Sequence, residues 1–338
     1  MNPGPPSNSD APEPDGRPPA ASSGAVLRAL LEAMRPSHWV KNVFVLAPIL
    51  FSRRYDSLAA WGACLGAFAA FCLLSSAVYV FNDICDRQAD RAHPKKRLRP
   101  IASGRLGVPA ALAGAIASLA GALLILLAVV LLAPYQHAPM PLWGLLVWSG
   151  GYLMLNLFYS AWLKQKPIVD VLCVATGFVI RAMAGANAIG VAVSPWLIIC
   201  TFALCLALAV IKRRAEVIEM PETESHASRS VNRFYTRPIL QNMVSVSTAM
   251  AILTYSMYCL DPRTIARVGS AHLVWTVPLV VYGLFRYDFI TRRIESGDPV
   301  KVLLRDSRMW AVLGLYLALA LAILILGDRG SLAGILER

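Results

Sequence analysis

Long apolar runs separated by short polar segments make up the chain from about residue 39 to residue 327. Several runs reach the roughly 18 consecutive apolar residues that a transmembrane helix needs. The pattern predicts an all-α integral membrane protein with nine spans, the first of them short and tilted or irregular. Their approximate limits are 39–52, 57–83, 107–133, 141–163, 168–190, 195–212, 238–260, 271–289 and 308–327.

The segment before the first span has two parts. Residues 1–23 contain almost no aliphatic side chains, so they are predicted to be a disordered tail, and they lack the basic-then-apolar order of a signal peptide. From Ala25 to Met34, apolar residues recur at helical spacing beside Arg28 and Glu32. This pattern favours an N-terminal helix that lies in the membrane interface, and residues 24–338 are predicted to form one transmembrane domain.

Lys and Arg residues distinguish the two sides of the predicted bundle. The loops of one side hold 21 of them and those of the other side hold 6. The 21 lie in loops 86–106, 164–167, 212–237 and 286–308. By the positive-inside rule these loops and the N-terminus are cytoplasmic, which predicts a multi-pass plasma-membrane protein. The net charge of +12 then needs no nucleic-acid partner.

The composition excludes several other classes. At 57% hydrophobic and 15% charged residues, the 338-residue chain is too apolar for a soluble domain. Six of the seven cysteines lie in apolar runs and none forms a CxxC pair, so we expect small buried hydrophobes. The sequence has no phosphate-binding loop, nucleophile elbow or HExxH motif, and its five histidines are scattered, so no histidine base is indicated.

Three aspartates follow the second apolar run. Asp83, Asp86 and Asp90 are three and four residues apart, so they share one face if the helix continues. A helix C-terminus disfavours each negative charge by a few tenths to about 1 kcal/mol, so the cluster needs cations. Carboxylate oxygens suit Mg²⁺, which binds one or two carboxylates together with substrate phosphates. The alternative is a solvated acidic turn with a local pair such as Asp83 with Arg87.

Arg181 lies about 19 Å into the fifth predicted span, where a charge costs about 2.5–3.5 kcal/mol on insertion scales. It is therefore expected to face a polar interior. Asp170 is eleven residues earlier, on the same helix face. Two roles are predicted for Arg181, as partner of Asp170 or as a contact of a lipid phosphate, and a purely structural arginine is the alternative.

Four motifs in this order resemble those of the UbiA superfamily of intramembrane prenyltransferases, over roughly residues 30–327. The resemblance implies nine helices around a central cavity that opens laterally to lipid, with a Mg²⁺-bound diphosphate near the cytoplasmic side. The motifs are Arg35-Pro36 with Trp39, Lys41 and Asn42; Asn82-Asp83-x-x-Asp86-x-x-x-Asp90; His93-Pro94-x-Lys96-x-x-Arg99-Pro100-Ile101-Ala102-Ser103-Gly104; and Tyr159-Ser160-x-x-Leu163-Lys164.

The chain departs from the family pattern after the sixth span. Typical members carry a second Asp-rich motif there, whereas residues 212–216 read Lys-Arg-Arg-Ala-Glu. Together with Gly177-Phe178-Val179-Ile180-Arg181 in the fifth span, this resembles the actinobacterial branch that uses phosphoribosyl diphosphate as donor and decaprenyl phosphate as acceptor, on the way to cell-wall arabinan. The donor's 5-phosphate is a second anion, which a prenyl diphosphate lacks and which Arg and Lys suit.

The resemblance implies roles for particular residues. Asp83, Asp86 and Asp90 would bind Mg²⁺, with Asp90 in a supporting position, and Asp83, Asp86 and Arg181 would be catalytic. The substrate-binding residues would be Asn82, Lys41, Lys96, Arg99, Asn156, Tyr159, Lys164, Asp170, Lys212, Arg213 and Glu216.

Two rival functions stay open at this point. One is an aromatic prenyltransferase of the same fold, in which residues 212–216 are a plain basic helix end. The other is a transporter, although transporters place ionisable sites near the midplane and most charges here lie at one edge. The sequence does not decide whether the chain forms homo-oligomers.

Overall fold

The computed structural model describes residues 22–52, 54, 56–132, 143–218, 234–292 and 306–336, which form helices and connections without a strand. Four short 3₁₀ helices also lie in this part: Pro36–Val45, Lys96–Leu98, Leu163–Gln165 and Ala271–Thr276. The α-helices of the described residues are α1 (Ser23–Met34), α2 (Ala47–Phe51), α3 (Leu58–Cys85), α4 (Arg87–Ala92), α5 (Val108–Leu132), α6 (Gly144–Ala161), α7 (Val169–Ala188), α8 (Pro195–Ile218), α9 (Arg237–Leu260), α10 (Pro262–Val268), α11 (Val277–Thr291) and α12 (Ser307–Leu336).

Seven stretches of the described residues are long and apolar enough to cross a membrane: α3, α5, α7, α8, α9, the stretch 271–291 that ends with α11, and α12 to residue 326. The prediction of nine spans is therefore not confirmed. The predicted first span is instead the 3₁₀ helix Pro36–Val45 followed by the five-residue α2. The predicted fourth span corresponds to α6, which carries Gly, Ser, Asn and Tyr residues among its 18 and is not one of the seven.

The N-terminal helix α1 packs on the bundle. Ser22 caps it by accepting a hydrogen bond from the backbone N–H of Ala25 at 3.4 Å. Its Ala29 and Ala33 are buried in a cluster with residues of α3 and α5, whereas Leu27 and Leu31 are exposed. This two-sided pattern is that of an amphipathic helix, and its position in a membrane interface stays a prediction. The predicted tail lies outside the described residues up to position 21.

Small side chains allow α3 to pack at the centre of the bundle. Along its length it buries Ala60, Ala63, Ala67 and Ala70 with Cys64, spaced three or four residues apart. In membranes such small residues let helix backbones approach closely, and van der Waals packing then stabilises the contact. The helix packs against α5, α6, α7 and the 3₁₀ helix Pro36–Val45. The acidic end of α3 is thereby fixed within the bundle.

The 3₁₀ helix Pro36–Val45 lies directly against α7. A Cβ atom placed on Gly185 of α7 would lie 1.9 Å from the backbone oxygen of Val45, so only glycine fits there. The thiol of Cys64 also donates a hydrogen bond to this oxygen at 3.2 Å. The close approach holds the segment that carries Asn42 against α7.

An apolar cavity of about 380 Å³ lies between α7, α8, α9, α11, α12 and the segment that ends in α2. Its walls include Phe44, Leu204, Leu284 and Leu313, and its polar lining residues are mostly tyrosines such as Tyr287. Such a cavity suits a hydrocarbon chain, because it offers apolar surface and few hydrogen-bonding groups.

Candidate active site

The acidic cluster is divided between two helices. Helix α3 ends at Cys85, Asp86 has φ −88° and ψ 4°, and α4 begins at Arg87. The condition for one helix face to carry all three aspartates, a helix that continues through them, is therefore not met, because the chain leaves the helical region at Asp86 and Asp90 belongs to the next helix. Asp83 and Asp90 are buried, and Asp86 is half-buried.

Two arginines bind the buried carboxylates. Arg35 Nη2 lies 2.6 Å from Asp83 Oδ1. Arg99 Nη1 lies 3.1 Å from the same oxygen and 2.6 Å from Asp90 Oδ2, so one nitrogen bridges the two aspartates. The local pair of Asp83 with Arg87, the alternative raised by the sequence, is not formed. Asp83 and Asp90 instead share the Arg99 guanidinium as a common partner.

Asp86 has a different partner. Lys164 Nζ lies 2.6 Å from Asp86 Oδ1, and the Asn82 side-chain amide donates to Asp86 Oδ2 at 3.1 Å. Lys164 Nζ also lies 3.5 Å from Asn82 Oδ1. The lysine belongs to the 3₁₀ helix Leu163–Gln165, just after α6, so the structure brings together residues of two motifs that are distant in the sequence.

The loop that carries Arg99 is fixed at both ends. Arg105 binds Glu32 of α1 through two hydrogen bonds of 2.8 and 2.9 Å and donates to the backbone oxygen of Leu98 at 2.7 Å. The Arg105 guanidinium lowers the pKa of the Glu32 carboxyl. Ile101 is fully buried in the cluster formed by α1, α3 and α5. Helix α1 therefore helps to hold the basic loop over the acidic cluster.

A second buried ion-pair network joins the ends of α7 and α8. Arg213 binds Asp170 Oδ2 and Glu216 Oε2, each at 2.6 Å. The Tyr235 hydroxyl donates to Asp170 Oδ1 at 2.7 Å and accepts from the backbone N–H of Ile168, whose φ of 68° is rare for a β-branched residue. The predicted alternative of an Asp170 pair with Arg181 is therefore wrong, because Asp170 pairs with the end of α8.

Arg181 has neutral partners deep in the bundle, where only 7% of the residue is exposed. Its guanidinium donates to Asn42 Oδ1 at 2.8 Å, to the Gly177 backbone oxygen at 2.9 Å and to the Tyr152 hydroxyl at 2.9 Å. It also stacks on the rings of Tyr152 and Phe178, at 4.6 and 5.1 Å from their centroids. Arg181 thus links α7, α6 and the 3₁₀ helix Pro36–Val45.

The remaining predicted residues lie outside these networks or at their margin. Asn156 donates a hydrogen bond to the Tyr152 backbone oxygen at 2.8 Å, within α6. Lys212 is partly exposed, with its Nζ 3.8 Å from Glu216. The side chains of Lys41, Lys96 and Tyr159 are partly buried.

Three residues of this region were missed as site candidates. Arg35 was noted only as part of a motif, and Tyr235 had no sequence signal because its role depends on a contact between distant segments. Arg87 directly follows Asp86, and its Nε is buried without a hydrogen-bond acceptor among the described residues. Arg87 is therefore a candidate ligand for an anion at the acidic cluster.

A ready-made metal site of three or more His, Cys, Asp or Glu side chains is not found in the part of the chain that the structure describes. The oxygen donors are nevertheless of the type that Mg²⁺ prefers. A single Arg99 nitrogen already touches both Asp83 and Asp90. Asp83 and Asp90 thus share one cationic group, whereas Asp86 pairs with Lys164. Two carboxylates fit a divalent metal whose remaining ligands come from other oxygens.

Solved structures show the fold of this chain. A UbiA homolog from Archaeoglobus fulgidus bound to GPP and Mg²⁺ aligns with a TM-score of 0.64 at 19% sequence identity, over 88% of this chain and 99% of that one. The same homolog bound to Cd²⁺ aligns with a TM-score of 0.60 at 18% identity, over 88% and 99% of the two chains.

Sequence relatives are more similar. A decaprenyl-phosphate phosphoribosyltransferase of Corynebacterium glutamicum is 31% identical over 82% of this chain and 81% of its own length. One of Mycolicibacterium smegmatis is 30% identical over 86% of this chain and 91% of its own length. The profile of the UbiA prenyltransferase family matches residues 43–312. The chain therefore belongs to the UbiA prenyltransferase family.

Proposed function

We propose that this protein transfers the 5-phosphoribosyl group from phosphoribosyl diphosphate to the phosphate of a polyprenyl phosphate, with decaprenyl phosphate as the acceptor, and releases diphosphate. The observation that carries the proposal is the name shared by relatives that are 30–31% identical over more than four fifths of this chain. The lipid product would serve as a precursor of cell-wall arabinan. The reaction would take place at the cytoplasmic face of the plasma membrane, where the basic loops are predicted to lie.

The acidic cluster would hold the donor's diphosphate through Mg²⁺. Asp83, Asp86 and Asp90 supply carboxylate oxygens, and Asn82 supplies an amide oxygen. When bound, Mg²⁺ would stabilise the charge that develops on the departing diphosphate. Arg35, Arg99 and Lys164, which form ion pairs with these carboxylates, would bind the diphosphate oxygens.

The 5-phosphate would bind at the cytoplasmic end of α8, where this chain carries basic residues. Arg213 already binds two carboxylates, so its main effect would be to position the end of α8 against Asp170. The Lys212 side chain is 39% exposed, and its Nζ lies as far as 3.8 Å from Glu216 Oε1. Because this ion pair is long, Lys212 is available to a phosphate. We therefore assign the direct contact with the 5-phosphate to Lys212, with Lys96 and Tyr159 as further candidates for donor phosphates.

The acceptor would place its prenyl chain in the apolar cavity and its phosphate beside the donor. The cavity's walls supply the apolar contacts that the chain needs. The phosphate of the acceptor is already deprotonated near neutral pH, so the reaction needs no general base.

The bond changes follow from this arrangement. As the bond from ribose C1 to the diphosphate oxygen breaks, positive charge develops on the ribose ring. An oxygen of the lipid phosphate then forms the new bond to C1, and its electron pair replaces the one that leaves with diphosphate. The cationic side chains around the acidic cluster would stabilise the leaving group, which is the usual way that proteins assist transfers involving phosphates.

Transfer of a prenyl group to an aromatic acceptor is the second candidate. The solved homolog bound to GPP and Mg²⁺ favours it. At 19% identity, however, that likeness shows the fold alone. The basic residues 212–214 are the feature that argues against it, because a prenyl diphosphate has no second anionic group for them to bind.

A donor comparison tests the proposal. The purified protein in lipid vesicles would receive either labelled phosphoribosyl diphosphate with decaprenyl phosphate, or labelled geranyl diphosphate with an aromatic acid. We expect label to enter the lipid product only from phosphoribosyl diphosphate. Transfer of the geranyl group, with phosphoribosyl diphosphate left intact, would favour the second candidate.

A further inference from the structure

The acidic cluster of this chain is neutralised by its own side chains. Its three carboxylates, Asp83, Asp86 and Asp90, meet three cations, Arg35, Arg99 and Lys164, at distances of 2.6 to 3.1 Å. The formal charges of this group of six residues therefore cancel. We call Arg35, Arg99 and Lys164 the internal counterions.

Burial makes these contacts costly to break. The side chains of Asp83 and Asp90 are only 2% and 5% exposed, so their charges lie in a medium of low dielectric constant. Removal of one partner from a buried ion pair leaves an uncompensated charge, which is strongly unfavourable. The internal counterions will therefore leave the carboxylates only when another cation takes their place and another anion receives them.

A metal ion alone would replace the internal counterions at the carboxylates, but it would give those counterions no new anion. If a divalent cation bound Asp83, Arg35 and Arg99 would lose an acceptor that lies at 2.6 and 3.1 Å, and two positive charges would be added to a group of six residues whose own charges already cancel. A diphosphate supplies the missing anion, because its oxygens accept charge-assisted hydrogen bonds from Arg and Lys. The combined ligand leaves the site closer to neutral than either component does.

We propose that the internal counterions couple the two ligands, so that the metal ion binds weakly by itself and diphosphate increases its affinity. Arg35, Arg99 and Lys164 would transfer from the carboxylates to the diphosphate when the two ligands bind together. The inference deepens the proposed function in that it concerns the same site, but it requires only that the donor carries a diphosphate. It also assigns Arg35 to the site, a residue that the sequence analysis did not select.

The structure shows how Arg35 is held ready for this exchange. Arg35 follows α1 and has φ 54° and ψ 62°, a left-handed conformation that is uncommon for a residue other than glycine. Its guanidinium also lies over the ring of Tyr79, 5.1 Å from the centroid. The ring supports the guanidinium from a side that the carboxylate does not use, so Arg35 keeps one neighbour when its anion changes.

Metal binding at a fixed free concentration tests the coupling. Equilibrium dialysis of the purified protein in detergent, with Mn²⁺ buffered at each free concentration, would measure bound Mn²⁺ with and without inorganic diphosphate. We expect diphosphate to raise the Mn²⁺ affinity about tenfold or more, and Mn²⁺ to raise the diphosphate affinity by the same factor. Equal Mn²⁺ affinity with and without diphosphate would overturn the proposal.

Variants identify the residues responsible. Arg35→Gln is expected to bind Mn²⁺ alone more tightly than the parent and to respond less to diphosphate, and Lys164→Gln gives the same test at Asp86 if the first variant does not fold. Arg97→Gln is the matched control, because Arg97 is exposed on the same loop and forms no ion pair within the part of the chain that the structure describes. Parent-like binding by both Arg35→Gln and Lys164→Gln would refute the exchange.

The outcome separates this inference from the proposed function. Coupled binding in a protein that does not transfer phosphoribosyl groups would keep the inference and reject the function. Phosphoribosyl transfer by a protein whose Mn²⁺ affinity does not change with diphosphate would keep the function and reject the inference.

Discussion

Asp83 is the residue on which the candidate site depends most. It is buried, it lies at the end of the central helix α3, and two guanidinium groups share its Oδ1 atom. Asp90 shares Arg99 with it, although sequence reasoning gave Asp90 only a supporting position. The two residues are therefore expected to act together.

Asp83→Asn and Asp90→Asn should each reduce transfer activity by more than about 100-fold, because even outer partners of metal ligands typically contribute 10- to 100-fold. Initial rates in vesicles at saturating Mg²⁺ would measure the effect. Asp261→Asn is the control, since Asp261 caps α10 and asparagine caps a helix equally well. A near-normal rate for Asp83→Asn at low Mg²⁺ would show that this carboxylate does not serve the metal.

Arg181 is expected to act mainly as an anchor. Arg181→Met would remove the three hydrogen bonds of the guanidinium and should lower the free energy of unfolding by about 3 kcal/mol or more. Arg181→Lys should also be less stable than the parent, because a single ammonium nitrogen does not span the three acceptors that the planar guanidinium reaches. Thermal unfolding in detergent would measure both variants. If Arg181→Met has the unfolding temperature of the parent but no activity, Arg181 has the catalytic role predicted from the sequence and is not a structural anchor.

At the scale of elements, the long apolar helices followed from the sequence and the irregular ones did not. Hydropathy predicts α3, α5, α8 and α12 well because each is a long apolar run. It cannot show that the predicted first span winds as a 3₁₀ helix, since that conformation depends on close contact with α7. The sequence also did not predict that the helix ends before Asp86, because aspartates three and four residues apart are compatible with one continuous helix and with two consecutive helices.

The contact between Gly185 and Val45 gives a test at this scale. Gly185→Ala should prevent the 3₁₀ helix Pro36–Val45 from seating on α7, because the new methyl group would overlap the Val45 carbonyl. We expect a marked loss of folded protein by size-exclusion chromatography after solubilisation. Gly150→Ala is the matched control, since a Cβ there meets no atom within 4 Å. Equal yields from the two variants would contradict the observed packing.

At the scale of the whole molecule, the ion-pair networks gather at one end of the bundle. They join the ends of α3, α6 and α8 to the starts of α7 and α9 through pairs such as Lys164 with Asp86 and Arg213 with Asp170. Sequence reasoning placed these residues on one side from the distribution of Lys and Arg. It could not pair Lys164 with Asp86 or Arg213 with Asp170, because the residues of these two pairs lie more than 40 positions apart.

The side of the membrane can be tested by labelling. In a chain with the exposed Cys85 replaced by serine, Ser103→Cys near the acidic cluster and Ala266→Cys on α10 are expected to react with a membrane-impermeant reagent from opposite faces. Right-side-out vesicles should label only the second. Labelling of both from the same face would refute the predicted topology.

A doubly labelled donor identifies the group that the protein transfers. Phosphoribosyl diphosphate carrying one label in the ribose and another in the diphosphate would be incubated with the purified protein, Mg²⁺ and decaprenyl phosphate, with Asp83→Asn in parallel. We expect the parent protein to transfer the ribose label to the lipid and to release an equal amount of the diphosphate label into water, and we expect Asp83→Asn to transfer neither label. If both labels remain in water with the parent protein, the protein does not transfer phosphoribosyl groups to decaprenyl phosphate.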